Sequence, residues 1–429
     1  MAEEGRLLGI VTLRDLARRV LAGGLDPQGP VALAMTPDPV TLPPDAIGSD
    51  VLHLMVERGI GHLPILGPKG LEGIVTRTDL TRFHAESSAD LEGDAARAPD
   101  AEALAAVTAR LPAMLARLAG AGDRHDVVTR LLTDVADAVT RRLLVLARAE
   151  LGPPPVPFLW LACGSQGRRE QTGISDQDNC LIIDDAAQPD HEAYFAALAR
   201  FVCTGLDRCG YVFCPGGMMA TNPRWRQPLR VWRRYFRTWI ERPDPEAQML
   251  ASVMFDLRPI GGELSLHEGL QAETLEAASR NSIFVAHMVA NALKHSPPLG
   301  LLRGLVTLRT GEHRNTIDMK LSGVIPVVDL GRVYALQGRI ATVNTRARLA
   351  AAMAAGVISE AGGRDLIDAY DTIADARLAH QARQLREGTR PDNFLDPATL
   401  SEFERNHLRE AFLIVRRMQG AVAQGRRLP

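Results

Sequence analysis

Two carboxylates stand one residue apart at the mouth of an apolar run, in residues 158–185, "FLWLACGSQGRREQTGISDQDNCLIIDD". The first apolar run ends in Gly164-Ser165. Asp176 and Asp178 follow, with Gln177 between them, and a second apolar run begins. Side chains alternate faces along a strand, so Asp176 and Asp178 point the same way. Two carboxylates on one face repel unless a cation lies between them, and Mg²⁺ (or Mn²⁺) is a hard cation that takes oxygen ligands. A pair of such ions about 4 Å apart stabilises the attacking and leaving oxygens of a phosphoryl-type displacement. Gly164 lets the backbone approach a phosphate closely, and the Ser165 hydroxyl can donate to phosphate oxygens. Arg168 and Arg169 follow at once. Arg168 either offers forked donors to a triphosphate or pairs with an acid such as Glu170. Asp-x-Asp alone is a weak signal, equally produced by a solvated turn or a helix cap. A third carboxylate from a neighbouring strand strengthens it: "SVMFDLRPIGGE" reads as a strand carrying Asp256, with Met254 and Arg258 on the same face. Arg258 would be a phosphate partner or the counter-ion of Asp256.

The elements that must position these residues form an α/β segment. "FLWLAC", "CLIID", "YVFC" and "ASVMFDLRPI" are strand-like, and "HEAYFAALARFVCTGLDRCG" is helix-like. Upstream, Leu and Val recur at helical spacing from about Ala101 to Glu150, predicting two or three packed helices, which "GPPPVP" stops. Past His267 the pattern is helical almost to the end, broken by "SPPLG" and "GTRPDNFLDP". Ser401 with Glu404 predicts a capping box on the last helix. Near the start, "GIVTLRDL" (9–16) returns as "GIVTRTDL" (73–80). Each copy is a short strand, then Thr and Asp opening a helix. The second copy has further strands and a helix, Ala46–Arg58, ahead of it; the first keeps only its last strand and helix. The half repeat suggests a natural start upstream of Met1. It also predicts an apolar flank that a spacer helix, a second subunit or absent residues would cover.

Composition excludes several classes. A net charge of −2 over 429 residues gives no bulk electrostatic case for nucleic acid. No apolar run was expected to reach the roughly 18 residues that span a bilayer. "MAEEGRLLGIV" lacks the pattern of a signal peptide, so a cytoplasmic location is expected, with no membrane partner. The five cysteines, Cys163, Cys180, Cys203, Cys209 and Cys214, show no CxxC spacing and read as reduced thiols. Cys209 and Cys214 lack the second pair a thiolate metal site needs.

Gly-Ser, a short spacer, Asp-x-Asp on a strand and a later strand Asp resemble the polymerase-beta-like nucleotidyltransferase superfamily. The longer string "GSQGRREQTGISDQDN" resembles a narrower family, found in bacterial signalling proteins beside CBS (cystathionine-beta-synthase-type) domains and related to PII-protein uridylyltransferases. "CPGGMMATNPRWRQPLRVWRRYFRTWIERP" is similar to that family, and "NTIDMKLSGVIPVVDLGRVYALQGRIATVNTRARL" resembles its substrate-binding domain. The N-terminal repeat resembles a CBS pair lacking half of its first member. Gln177 departs from the wider superfamily, where the residue between the carboxylates is often apolar.

The resemblance implies an α+β multidomain chain. It would comprise a partial CBS pair (1–86), a helical spacer (87–151), a mixed-sheet nucleotidyltransferase core (152–265) and a helical substrate-binding domain (266–429). It implies a Mg-dependent transfer of a nucleoside monophosphate (NMP) from a nucleoside triphosphate (NTP) to a hydroxyl of a protein or a small molecule. Asp176, Asp178 and Asp256 would be catalytic and hold the metal, with Asp256 helping to deprotonate the acceptor. Gly164, Ser165, Arg168 and Lys320 would contact the nucleotide. Arg332 and Arg348, in the same family-like strings, read as salt-bridge residues. By the CBS resemblance, Thr76 and Asp79, like Thr12 and Asp15, would contact an adenine nucleotide, although helix capping explains the same residues. A homodimer is expected. A different class stays open: a catalytically silent nucleotide sensor acting through partner proteins, or a core that is only structural.

Overall fold

A computed structural model describes residues 2–425, apart from 4–5, 45, 47–50, 52–53, 56, 69, 77–78, 80–88 and 301–303. The chain forms two compact units, 1–87 with 120–123 and 88–119 with 124–429. In the first, β1 (Gly9–Ile10) precedes α1 (Leu13–Asp15) and pairs antiparallel with β2 (Thr36–Pro37). β3 (His62–Gly67) pairs antiparallel with β4 (Gly70–Thr76). The repeat is one local geometry built twice. Thr12 donates to the Asp15 carboxylate through its N–H at 3.0 Å and its hydroxyl at 2.6 Å, and the Asp15 N–H returns to the hydroxyl at 3.3 Å. Thr76 and Asp79 repeat these bonds at 2.9, 2.6 and 3.1 Å. Thr12 and Asp15 therefore form a reciprocal cap on α1, and Thr76 and Asp79 make the same bonds to each other. Leu13, Leu21 and Leu33 are exposed. The expected helix at 46–58 falls largely outside the described residues.

The second unit begins with α2 (Ala101–Thr108), α3 (Leu111–Gly120) and α4 (His125–Leu151). By length and composition alone, Ala101–Gly120 is apolar enough to cross a membrane, contrary to the sequence expectation. In the structure it is broken after Thr108, and Leu104, Val107, Met114, Leu115 and Leu118 are buried in the core of this unit.

The sheet follows: β5 (Phe158–Ala162), a short pair of residues β6 (Asp176–Gln177), β7 (Asn179–Ile183), α5 (Glu192–Arg208), β8 (Val212–Phe213), β9 (Arg226–Pro228), α6 (Leu229–Glu241), α7 (Pro245–Met254) and β10 (Arg258–Gly262). Four strands run in the order β9-β7-β5-β10, with β9 parallel to β7 and the other pairs antiparallel. β6 and β8 form a separate parallel pair. β5 and β7 are buried at every position because helices cover both faces. Phe158, Trp160, Leu181 and Ile183 pack with α2–α5, while Leu159, Leu161, Cys180 and Ile182 pack with α6 and α7 and with α8 (Ser265–Arg280) and α9 (Ser282–Ala292).

One expected strand is a helix. "PEAQMLASVM" forms α7, and β10 starts only at Arg258. Asp244 caps the helix by accepting from the Ala247 N–H at 2.8 Å, and Pro245 occupies its first turn. Ala247, Leu250, Ala251 and Met254 then fall on one buried face. The rest of the unit is mainly helical, with one short antiparallel pair between Ile317–Asp318 and Phe394–Leu395: α10 (Ile325–Gly338), α11 (Thr345–Ala354), α12 (Glu360–Arg386) and α13 (Glu402–Ala423), around a core that includes Val327, Leu349, Ile373 and Phe412. The Ser401–Glu404 capping box is present, with Ser401 N–H to the Glu404 carboxylate at 2.7 Å.

Candidate active site

The carboxylate pair is oriented by its neighbours. Gln177 is buried, and its amide donates to the carbonyls of Cys203 and Tyr211, both at 3.0 Å. Asn179 is buried too and accepts from the Ala220 N–H at 2.9 Å. With 177 and 179 anchored in the core, alternation turns Asp176 and Asp178 to the opposite side. The Gln177 departure thus serves the local backbone: its amide nitrogen ties the strand to two carbonyls, those of Cys203 and Tyr211. The β6–β8 pairing sets Val212 beside Asp176 and Phe213 beside Gln177, and Cys214 follows directly.

Ligand atoms of Asp176, Asp178 and Cys214 all lie within 4.8 Å of one another, each residue half-buried. Burial, and then the neighbouring Asp176 charge, push the Asp178 carboxyl up to about 6, against smaller downward pulls from the Cys214 thiol, Lys320 and Arg168. Burial and then Asp178 push the Cys214 thiol up to about 11. Gly164 completes the group. Its φ of 58° suits glycine, and a Cβ there would come within 2.3 Å of an Asp178 carboxylate oxygen. The Cys163 N–H donates to the Asp178 carbonyl at 3.0 Å, holding the Gly-Ser turn against the pair. These residues fit a divalent cation: two crowded carboxylate oxygens, backbone brought close by a glycine, and a carboxyl raised by burial and then by the second carboxylate beside it.

Ser165, Arg168 and Lys320 line one cleft together with Glu170, Tyr370 and Arg377. Of the alternatives for Arg168, the structure displays the acid pair: its Nε donates to Glu170 at 2.7 Å and its Nη1 to Asp256 at 2.7 Å. Lys320 is exposed, within the wide helical turn Met319–Val324 that leads into α10.

Asp256 lies elsewhere than expected. It sits past the end of α7, is fully buried, and is not part of the Asp176–Asp178–Cys214 group. Arg348 donates to one of its oxygens at 2.6 Å, Arg168 to the other at 2.7 Å, and Arg332 to both. Burial alone would raise this carboxyl, but Arg332, Arg348 and Arg168 hold it well below the usual carboxylate range. A carboxylate whose oxygens accept from three guanidiniums has no free lone pair to ligate a metal or take a proton from an acceptor. Arg258, expected beside Asp256, instead makes a forked pair with Asp137 of α4 at 2.6 and 2.9 Å. It also holds the carbonyls of Gln166 and Gly167 at 2.8 and 3.0 Å, bracing the Gly-Ser turn.

Thr76 and Asp79 belong to the first unit and bond to each other as described. Sequence reasoning missed Cys214 as a neighbour of the pair, although "YVFC" as a strand beside the Asp-x-Asp strand was a usable signal. It missed Arg332 and Arg348 as the partners of Asp256; nothing local marks them.

Residues 109–246 match the family described as "Putative nucleotidyltransferase DUF294". That region of the chain belongs to this family. Residues 282–425 match its companion, "Putative nucleotidyltransferase substrate binding domain", and residues 31–86 match the CBS domain. The nucleotidyltransferase-family region thus contains both carboxylates, the Gly-Ser turn and Cys214, while the substrate-binding domain supplies Lys320, Arg332, Arg348 and Arg377. Asp256 falls between the two matches. Curated relatives align with the CBS end. They include the Bacillus subtilis "Uncharacterized protein YlbB", 41% identical over 80 residues (18% of this chain, 54% of that protein). The B. subtilis "CBS domain-containing protein YhcV" is 39% identical over 80 residues (19% and 57%). "Hypoxic response protein 1" of Mycobacterium tuberculosis is 32% identical over 81 residues (19% and 57%). The chain spans about half the length of these relatives.

Proposed function

We propose that the protein transfers a nucleoside monophosphate from an NTP to a hydroxyl of a protein or small-molecule acceptor, under control of a nucleotide at the CBS-type unit. The observation that carries this reading is the Asp176–Asp178 pair, crowded by Gly164; the chain neighbours of Gly164 and Asp176, Ser165 and Ser175, line a cleft together with Lys320. Asp176 and Asp178 would hold Mg²⁺ or Mn²⁺. A bound ion of this kind lowers the pKa of an attacking hydroxyl and neutralises charge on the leaving group. The acceptor oxygen would form a bond to the α-phosphorus as the bond to the β-phosphate oxygen breaks, releasing pyrophosphate. Gly164 keeps backbone close to the reacting phosphate, and Ser165 and Lys320 donate to phosphate oxygens. Arg168, pinned by Glu170 and Asp256, fixes the turn from behind. Since Asp256 is committed to arginines, the residues present fit one ion; a second would depend on phosphate oxygens of the substrate.

The sensor reading keeps one specific observation in its favour: the third carboxylate expected of an active centre is neutralised by the chain's own arginines. For either reading we expect a cytoplasmic protein, dimeric through its CBS-type unit. A panel of NTPs with Mg²⁺ or Mn²⁺, followed by thermal shift and pyrophosphate release together with a cell lysate as acceptor source, decides between them. Metal-dependent stabilisation with pyrophosphate release supports transfer. Stabilisation without release supports the sensor, and neither response removes both.

A further inference from the structure

The cleft beside the carboxylate pair contains a cation that the protein leaves unpaired. Arg377, on α12, is about nine-tenths buried, with 9% of its surface exposed. Its Nε donates to the Asn393 side-chain oxygen at 2.7 Å and its Nη2 to the Thr172 hydroxyl at 3.3 Å, both neutral acceptors. Among the described residues no carboxylate comes within ion-pair distance of it, whereas Arg168, Arg258, Arg332 and Arg348, the other buried or largely buried arginines around this cleft and turn, each grip one. Among the described residues its Nη1 has no hydrogen-bond partner. Burial lowers its pKa to about 10, the direction expected of a desolvated cation without a counter-ion.

An uncompensated buried guanidinium is costly unless something pairs with it. Glu170, the acid in the cleft wall, is not that partner. One of its oxygens accepts from Arg168 at 2.7 Å and the other from the Thr345 N–H at 2.8 Å. Arg168 and Glu170 cancel, which leaves Lys320 and Arg377 as two positive charges facing the same space as the Ser165 hydroxyl. Lys320 also exerts its field on Asp178, so the positive wall and the carboxylate pair adjoin.

We propose that Arg377, with Lys320 and Ser165, is the seat for the phosphate chain of the nucleotide, a polyanion whose charge supplies the counter-ion that Arg377 lacks. This rests on the nucleotidyl-transfer reading for the identity of the ligand. It adds that α12 of the substrate-binding domain, as well as the nucleotidyltransferase-family core, reads the phosphates.

The test uses the full chain and inorganic tripolyphosphate with Mg²⁺, measured by isothermal titration calorimetry on wild type, Arg377→Gln and Lys320→Ala. Wild type should bind, and each variant should weaken binding by about ten-fold or more, since hydrogen bonds between charged partners are among the strong ones. Lys320 is exposed, so Lys320→Ala keeps the question open if Arg377→Gln does not fold. A wild-type protein that ignores tripolyphosphate, or a folded variant of either residue that binds it as tightly as wild type, overturns the seat. Pyrophosphate release from NTP, measured on the same proteins, separates the two ideas. Tripolyphosphate binding lost in the variants with no release from any NTP upholds the seat and sinks transfer. Release unchanged in Arg377→Gln sinks the seat and leaves transfer standing.

Discussion

The Asp176–Asp178 pair and Asp256 belong to the same unit and carry the same functional group, yet the fold treats them in opposite ways. The pair is half-buried with another carboxylate as nearest neighbour, and Asp178 is pushed up to about 6. Asp256 is fully buried among Arg168, Arg332 and Arg348, and held low. Desolvation raises both; what differs is the compensation. Around Asp256 the chain provides its own cations, so the site is complete. At the pair no cation of the described residues is in contact, so the charge is balanced when a cation arrives from outside. A carboxylate's role here follows from which cations the tertiary structure delivers rather than from its sequence motif.

The largest effect should come from breaking the complete site. Asp256→Asn keeps the shape but leaves three buried guanidiniums facing a neutral amide. Loss of one partner from a buried ion pair typically costs on the order of 3–5 kcal/mol. Chemical denaturation should show a loss of that size, and a stability equal to wild type would mean that the three arginines find solvent or other partners.

Asp178→Asn tests the incomplete site and should do the reverse to stability. Removing one of two crowded charges leaves folding unchanged or slightly improved. Metal-dependent turnover, if the protein transfers nucleotides, should fall on the order of 10²-fold or more. In the sensor reading it is NTP–Mg²⁺ affinity that falls. Unfolding of this variant, or wild-type turnover and affinity, would remove the pair from the metal site.

The pH dependence sharpens the contrast. The Asp178 carboxyl has a higher pKa folded (about 6) than its ordinary value of 3.8. Ionisation therefore favours the unfolded chain, and without metal this group subtracts stability progressively as pH rises from the ordinary value towards the folded one. A divalent ion binds the ionised form, so Mn²⁺ affinity measured by titration calorimetry should rise with pH through about 6 and then level off. Asp178→Asn should flatten that rise. Asp256, held low, should contribute no step in this window, and a step that survives in Asp178→Asn would assign the titration to another group.

The smallest effect is expected at Cys214. Cys214→Ser keeps a donor toward Asp178 but replaces sulfur with a harder oxygen. Mg²⁺ affinity should change by no more than a few-fold, while affinity for Zn²⁺, a softer ion, should drop. Equal effects on both ions would mean that the side chain at 214 acts only through its hydrogen bond.

The open site was legible in the sequence because its parts are local. Gly164, Ser165, Asp176 and Asp178 lie on one strand–turn–strand stretch, where alternation and glycine chemistry fix who faces whom. The closed site was not legible for the opposite reason. Arg332 and Arg348 reach Asp256 from 76 and 92 residues away, and Arg258 finds Asp137 across 121 residues. No periodicity marks such meetings. The strand expected around Asp256 was a different kind of miss. "MLASVMF" is an apolar run too short to tell strand from helix, but Asp244-Pro245-Glu246 before it carries the marks of a helix start. At the N-terminal end the repeat was readable, down to the Thr and Asp of each copy, because a cap is built from residues three apart.

The arginine cluster at Asp256 also bears on how the protein can be dissected. One guanidinium comes from the Gly-Ser turn and two from α10 and α11, so the boundary between the matches at 246 and 282 runs beside a junction where neither half is electrically neutral alone. A fragment ending before α10 would keep Asp256 with a single arginine, and the complementary fragment would carry a bare Arg348 and an Arg332 held by Asp329 alone. Expressed apart, the two pieces should be poor proteins; mixed, they should recombine, because each holds the counter-charge the other is missing.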